Sequence, residues 1–271
     1  LLDVAPYRNA DALVHVVRAF RDPTVTHHAE SINPAGDAQA MEDELLLADL
    51  AVAEKRLDRI DRDMKKGRTT ELERERALIV RCKESLENGA PIRGLPMTDD
   101  ERKMLRGFQF LSGKPLLLVV NLDEADTALL ADGARAAEAA GLAPFLSRAA
   151  TGVVAVCAKI ELEIGQLDAA DAAAFLTDLG LAEPGVDRVI RTTYDLLGYL
   201  SFLTVGEDEC RAWSIPRGMH AQAAAGEIHS DIARGFIRAE VVRFEHLIAR
   251  RSMAACREHA EVRLEGKEYV V

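Results

Sequence analysis

Lys114-Pro115-Leu116-Leu117-Leu118-Val119-Val120-Asn121-Leu122-Asp123-Glu124 places five consecutive aliphatic residues, Leu116 to Val120, between a proline and an abrupt polar stop. A short unbroken apolar run bounded by turn residues reads as a strand buried on both faces, as in a parallel sheet. In open α/β sheets the ligand sits at the carboxyl ends of the strands. Asn121 to Glu124 therefore fall where a ligand-reading loop belongs. An asparagine both donates and accepts, while a carboxylate three residues later only accepts, and together they can read the edge of a purine ring. An asparagine at a strand end is also a common turn former.

Outward from this stretch, residues 11–18 (Asp-Ala-Leu-Val-His-Val-Val-Arg) are a second buried-strand candidate, with His15 expected as a satisfied core or strand-end histidine. Val153 to Cys157 are a third. Ala125 to Ala140 are alanine-rich with helical composition and a Gly141 stop, so they join the strands at 116–120 and 153–157 by a helical crossover, the βαβ unit of a parallel sheet. Both strand ends then lie on one edge. Further on, helices are expected over 168–179 and from the turn Glu183-Pro184-Gly185 to Leu197.

Between the first two strands the character changes. His27 and His28 invite a metal reading, but no third ligand stands at useful spacing and the segment reads as a loop. From Asp37 to about Gly89, Leu46, Leu50, Ala53, Leu57, Ile60 and Met64 follow alternating steps of four and three, a coiled-coil seam. Lys65-Lys66-Gly67 ends that helix, and Thr69 or Thr70 caps a second with its own stripe at Leu72, Ile79, Cys82 and Leu86. The pair is an antiparallel hairpin with a solvated, mixed-charge face. Thr98 caps a short helix with Asp99, Asp100 and Glu101 in its first turn.

Beyond residue 200, Ser201 to Val205 and Cys210 to Ile215 alternate about the turn Gly206-Glu207-Asp208, which predicts a hairpin. Phe236 to Val242 alternate as well, with Arg238 and Glu240 on one side. If these strands pair in one sheet, Arg211 lies on the same side as Trp213, a cation beside an aromatic plane suited to stacking on an unpaired RNA base. The alternative for Trp213 is a core position.

Composition sets the outer limits. A chain of 271 residues suggests two domains. The formal net charge of -11 argues against dominant, sequence-blind binding to nucleic acid backbones, and nothing suggests DNA specificity. Four scattered cysteines without a C-x-x-C pair give neither a zinc site nor a disulfide framework, so a cytoplasmic location is expected. No apolar run reaches membrane-spanning length. The chain opens on Leu1-Leu2 without a methionine and is expected to be a piece of a longer protein.

Val205 to Ile215 (V-G-E-D-E-C-R-A-W-S-I), Ala223 to Asp231 (A-A-A-G-E-I-H-S-D) and Gly235 to Glu240 (G-F-I-R-A-E) resemble the carboxy-terminal TGS domain of the YchF (Obg-like ATPase) family. Residues 11–18 resemble the strand before that family's coiled-coil insertion, Glu42 to Asp49 (E-D-E-L-L-L-A-D) its opening, and Leu181 to Gly185 the approach to the last helix of the nucleotide domain. The resemblance implies an α/β fold: a partial P-loop NTPase-type parallel sheet, an inserted antiparallel helical hairpin, and a C-terminal α+β TGS (ubiquitin-like) domain. It divides the chain into a nucleotide-binding domain at 1–36 and 112–200, the insertion at 37–111, and the TGS domain at 201–271, with a final strand expected to be missing.

What the resemblance implies for function is an enzyme that binds and hydrolyses ATP (or GTP) in association with the ribosome or a ribosomal subunit. Asn121-Leu122-Asp123-Glu124 has the N-x-x-E form that the family associates with ATP, where guanine-binding relatives have N-K-x-D. Leu122 falls at the family's backbone contact to the base. Cys157-Ala158-Lys159 stands where the fifth nucleotide motif, usually S-A-K, belongs. Arg211, Trp213 and Arg238 are the candidate ribosome- or RNA-binding residues. No G-x-x-x-x-G-K-[S/T] occurs in the sequence, so the phosphate cradle and the Mg²⁺ hydroxyl are expected from a preceding segment, and this chain alone is expected to be inactive. Asp3-Val4-Ala5-Pro6 departs from the magnesium loop D-x-x-G, and Leu1 to Asn9 read as a lead-in helix. The alternatives are a non-catalytic ribosome- or RNA-binding adaptor using the nucleotide domain as scaffold, and a strict GTPase, which Glu124 and the absence of lysine at 122 disfavour.

Overall fold

The computed structural model describes residues 4–26, 31–206 and 208–271; Leu1 to Asp3, the His27-His28 pair and Glu207 lie outside the described residues. After a short 3-10 turn at Ala5–Asn9, strand β1 (Leu13–Ala19) leads to the long helices α1 (Pro34–Lys66) and α2 (Thr70–Glu87), then α3 (Asp99–Leu105). Strand β2 (Leu116–Leu122), helices α4 (Gly133–Ala139) and α5 (Ala143–Leu146), and strand β3 (Thr151–Val156) follow. Helices α6 (Ala158–Ile164), α7 (Ala169–Asp178) and α8 (Gly185–Leu197) end a first compact unit.

The sheet has the order β1-β2-β3, parallel throughout. Alternate residues of β2 face opposite cores. Leu116, Leu118, Val120 and Leu122 join the larger one with Val17, Leu142 and Phe145, while Leu117 and Val119 meet Val154, Val156 and the α8 residues Val189 and Leu196. Strand β2 is thus buried on both faces, as its unbroken apolar run predicts. Strand β1 is not. Val14 and Val16 are 50% and 60% exposed because β1 is the outer strand of the described sheet and α8 covers only β2 and β3 on that side. His15 is also corrected: its Nδ1 is buried without a hydrogen-bond partner among the described residues, and burial lowers its pKa.

The crossover is broken where one helix was expected. Residues Glu124–Leu129 form a 3-10 segment, and α4 starts afresh because the Asp132 carboxylate accepts the Arg135 N–H at 3.0 Å. Gly133 permits this start: a Cβ there would stand 2.6 Å from the Val153 carbonyl oxygen. Strand β3 begins two residues earlier than its apolar core suggests, at Thr151.

The helical hairpin starts earlier than its seam suggests. Asn33 caps α1 by accepting the Gly36 N–H at 3.1 Å, with Pro34 in the first turn. Ala53, Ile60, Leu78, Ile79 and Cys82 form its buried seam, and Leu50 and Leu57 are half-buried. The mixed-charge face is not simply solvated. Arg56 donates twice to Glu75 at 2.6 Å, and Arg76 donates to Asp61 at 2.7 Å, tying α1 to α2. Thr98 and Glu101 form the reciprocal capping box of α3.

The second unit, Gly198–Val271, opens with the antiparallel hairpin of β4 (Tyr199–Val205) and β5 (Cys210–Pro216). It continues through α9 (Ala221–Ile228), α10 (Ser230–Gly235), β6 (Ala239–Val241), α11 (Phe244–Arg250), α12 (Met253–Glu258) and β7 (Arg263–Glu265). Strand β6 pairs with β7, not with the first hairpin. The expected strand over 236–242 shrinks to three residues and leaves Arg238 outside it. Alternation supplies a period but no partner, and β7 offers only three pairing positions. Val270 forms an isolated antiparallel bridge with His220.

Candidate nucleotide-reading edge

The parallel register sets Arg18 opposite Asn121 and Asn121 opposite Val156, so the loops after β1, β2 and β3 leave the same edge of the sheet. Asn121 Oδ1 accepts the Ala158 N–H at 3.0 Å, pinning the β2 loop to the first turn of α6. One residue on, Lys159 forms an ion pair with Glu124 Oε2, and this hydrogen bond, with the carboxylate charge, raises the lysine pKa. Asp123 holds the loop's other side, accepting from the Arg21 N–H at 3.4 Å and the Ala125 N–H at 3.3 Å. Asn121, Glu124, Ala158 and Lys159, separated by more than thirty positions in the chain, thus meet in one place.

Leu122 and Cys157 differ in kind. Leu122 is still within β2 and its side chain is 5% exposed, committed to the core, so only its backbone faces the edge. A lysine at that position would have to leave the core, and the N-K-x-D geometry is unavailable without rearrangement. Cys157 is buried at the N-cap of α6 and makes no capping hydrogen bond. The β1 loop was not assigned from the sequence. Arg18 folds it by donating to the carbonyls of Phe20 (3.2 Å), Asp22 (3.0 Å) and Val25 (3.0 Å), with its guanidinium carbon 4.5 Å from the Phe20 ring centre. Hydrogen bonds from Thr24, the hydroxyl first, lower the Asp22 pKa. Glu161 accepts from the Gly185 N–H at 2.8 Å and so caps α8.

Beneath the hairpin lies a buried ionic network that the sequence reading missed. Glu42 on α1 is fully buried; Arg93 Nη2 stands 2.8 Å from both of its oxygens, and Arg148 lies 3.4 Å away. Arg93 also donates to Thr151 Oγ1 at 3.2 Å, linking helix to sheet. Two turns further along α1, Asp49 accepts the N–H groups of Leu111 (2.9 Å) and Ser112 (2.7 Å), and burial raises its pKa against those bonds. The signal was present. Glu42, Leu46, Asp49 and Ala53 make their own four-three-four series, sharing Leu46 and Ala53 with the apolar seam, so both acids lie on the buried stripe.

In the second unit the Arg211 guanidinium carbon lies 4.2 Å from the Trp213 ring centre, on the same side of β5 as the buried Ile215. Trp213 is half-buried and its indole N–H donates to Thr204 Oγ1 at 3.0 Å. Arg211 thus already covers one face of the ring. Arg238 does not join this face, because it precedes β6, and β6 itself pairs with β7 rather than with this hairpin. Among the described residues no group of three or more histidine, cysteine or acidic side chains could hold a metal ion, and no helix is long and apolar enough to cross a membrane.

The chain has relatives among known proteins. The family model YchF-GTPase_C, described as "Protein of unknown function (DUF933)", matches residues 199–271. The chain is 39% identical over 264 residues to the ribosome-binding ATPase YchF of Bacillus subtilis, covering 97% of this chain and 71% of that one. It is 38% identical over 275 residues to the protein of the same name from Pasteurella multocida, covering 99% and 72%. The solved structure of the Schizosaccharomyces pombe YchF GTPase superposes with a TM-score of 0.84 at 27% identity, over 99% of this chain and 71% of that one.

Proposed function

The chain belongs to the YchF family, and from that premise we propose that it is the base-reading and partner-binding part of a ribosome-associated NTPase that prefers ATP. The observation that carries the nucleotide preference is the Glu124–Lys159 pair beside the Asn121–Ala158 pin. An ionised carboxylate only accepts hydrogen bonds. With Oε2 engaged by Lys159, Glu124 has Oε1 left to take a proton donor. Adenine offers one exocyclic amino group on its pairing edge, whereas guanine offers two adjacent donors that ask for both oxygens. Asn121 holds the α6 turn in place, the Leu122 backbone lies along the base, and Ala158 and Lys159 close the other side. Cys157 contributes through its backbone.

Phosphoryl transfer needs preorganised amides, a lysine and Mg²⁺ about the phosphates. The G-x-x-x-x-G-K-[S/T] pattern does not occur among these 271 residues. The residues at this edge hold the base and supply no magnesium ligand, so this chain by itself binds nucleotide weakly without turning it over. The ribosome is the partner, as in the relatives' names. The Arg211–Trp213 face and, separately, Arg238 are the contact residues in this reading. The test is a competition titration of ATP against GTP on the protein supplied with a P-loop segment. ATP is expected to bind at least as well as GTP, and a preference for GTP of about tenfold, roughly 1.4 kcal/mol, overturns the assignment.

A further inference from the structure

The opposite edge of the same sheet carries a second concavity. Residues just before β1 (Ala10, Asp11), before β2 (Gly113, Lys114, Pro115) and before β3 (Ala150) line a cavity of about 830 Å³ together with the segment around α3. The nucleotide loops leave the other ends of these strands, so the two sites are separated by the length of the sheet. Cations dominate the polar lining: Arg8, Arg93, Arg102, Arg106 and Lys114 against one acid, Asp11. That is an unusual local balance in a chain of net charge -11.

The cations differ in how far they are already neutralised. Arg93 is paired with Glu42, and Arg8 lies 3.7 Å from Asp49. Arg102 reaches Asp99 only at 4.0 Å, with both side chains mostly in solvent, a separation that confers little. Lys114 donates to the Ala10 carbonyl at 2.5 Å, a neutral acceptor, and burial lowers its pKa against the opposing charges of Asp11 and Asp49. Arg106 is exposed at the rim. Arg102, Arg106 and Lys114 are therefore the cations that an anion placed here would meet. One wall is apolar, formed by Ile92, Leu105 and Phe110. The backbone supplies a further sign: Gln109, on the lining, has φ of 50°, a left-handed conformation held by Arg8 donating to its carbonyl and by its own amide donating to Asn9. Strained non-glycine residues cluster at ligand clamps.

We propose that this cavity is a binding site for a small phosphorylated molecule. Arg102, Arg106 and Lys114 hold its phosphate groups, and the Ile92–Phe110 wall receives an apolar or planar part. The volume suits a ligand of nucleotide size, and its concavity favours a discrete molecule over an extended RNA strand. Occupancy would bear on the segment 106–115, which connects the hairpin to β2, and so ties this edge to the helices above it.

Calorimetry of the 271-residue chain with inorganic pyrophosphate as the probe tests the site. Saturable binding is expected, weakened about tenfold or more in Arg102→Ala/Arg106→Ala, as loss of charge-assisted hydrogen bonds implies. Both side chains are exposed, so the variant's melting temperature should not move. Glu124→Ala, at the opposite edge, should leave pyrophosphate binding as it is. No saturable heat, binding unaffected by the double substitution, or binding abolished by Glu124→Ala would each overturn the proposal. So would binding of a short single-stranded RNA by a chain that ignores pyrophosphate.

Discussion

The two units are held together in different ways. In the first, β2 is sealed between two apolar clusters and the hairpin has a third, with Glu42 tied through Arg93 to β3 and Asp49 to the loop before β2. In the second, the buried apolar residues are Ile215, Cys256 and the alanines 221, 224 and 225, while Leu203, Val205, Ile237 and Phe244 are each more than 70% exposed. Hydrophobic stabilisation scales with apolar area removed from water, so the first unit carries most of the chain's cohesion. The second relies on strand pairing, helix caps and surface ion pairs such as Arg257–Glu240 and Arg250–Glu261. The first unit is thus held mainly by buried apolar side chains, and the second mainly by backbone pairing, caps and surface charge.

The strongest challenge to this contrast is Glu42→Ala. It leaves Arg93, whose side chain is 2% exposed, without its counter-charge, and stranding a buried charge costs about 3–5 kcal/mol. Urea unfolding followed by far-UV circular dichroism should show that loss, and a midpoint within error of wild type would mean the network is ornamental. Next come Ile60→Ala and Ile215→Ala, fully buried isoleucines in the hairpin and in β5. Each costs about 2–5 kcal/mol by transfer and cavity terms, but the consequences should differ. Trp213 is the sole tryptophan of the chain, so its fluorescence reports the second unit alone. Ile215→Ala should abolish the native fluorescence while most helical dichroism remains, and Ile60→Ala should shift the dichroism transition first. Coincident loss of both signals in both variants would refute a division of cohesion.

Thiol reactivity sharpens the same contrast with a smaller effect. Cys82 is sealed in the hairpin, where burial pushes its pKa up to about 11, while Cys210 is exposed on β5. A thiol reagent at pH 8 should label Cys210 rapidly and reach Cys82, Cys157 and Cys256 only with unfolding. Rapid labelling of Cys82 would show that the hairpin opens.

The same difference explains what could be read from sequence. The hairpin and β2 were legible because periodicity and an unbroken apolar run record burial directly, and the parallel β2–β3 pairing followed from the crossover between them. The purine-edge reading placed Asn121 and Glu124 correctly at a strand end, but could not foresee that Lys159 would meet Glu124, thirty-five positions later. The Glu42–Arg93–Arg148 network was hidden for the same reason, although the two acids on the seam announced that something polar was buried there. In the second unit the reading was weaker. The alanine-rich α9 offers no polar–apolar contrast in sequence to mark its buried face of Ala221, Ala224 and Ala225, and β6 is too short for its alternation to specify a partner, so Arg238, expected on a strand, lies just outside one.

The central claim is that Glu124, steadied by Lys159, reads adenine. Saturation-transfer NMR on the 271-residue chain with equal adenosine and guanosine tests it without phosphates, in a regime of weak binding. Transfer to adenosine should exceed transfer to guanosine, Glu124→Ala should remove it, and Lys159→Ala, which frees the second carboxylate oxygen, should raise the guanosine signal toward that of adenosine. Stronger transfer to guanosine in the wild type, or a ratio that neither substitution changes, would contradict the account.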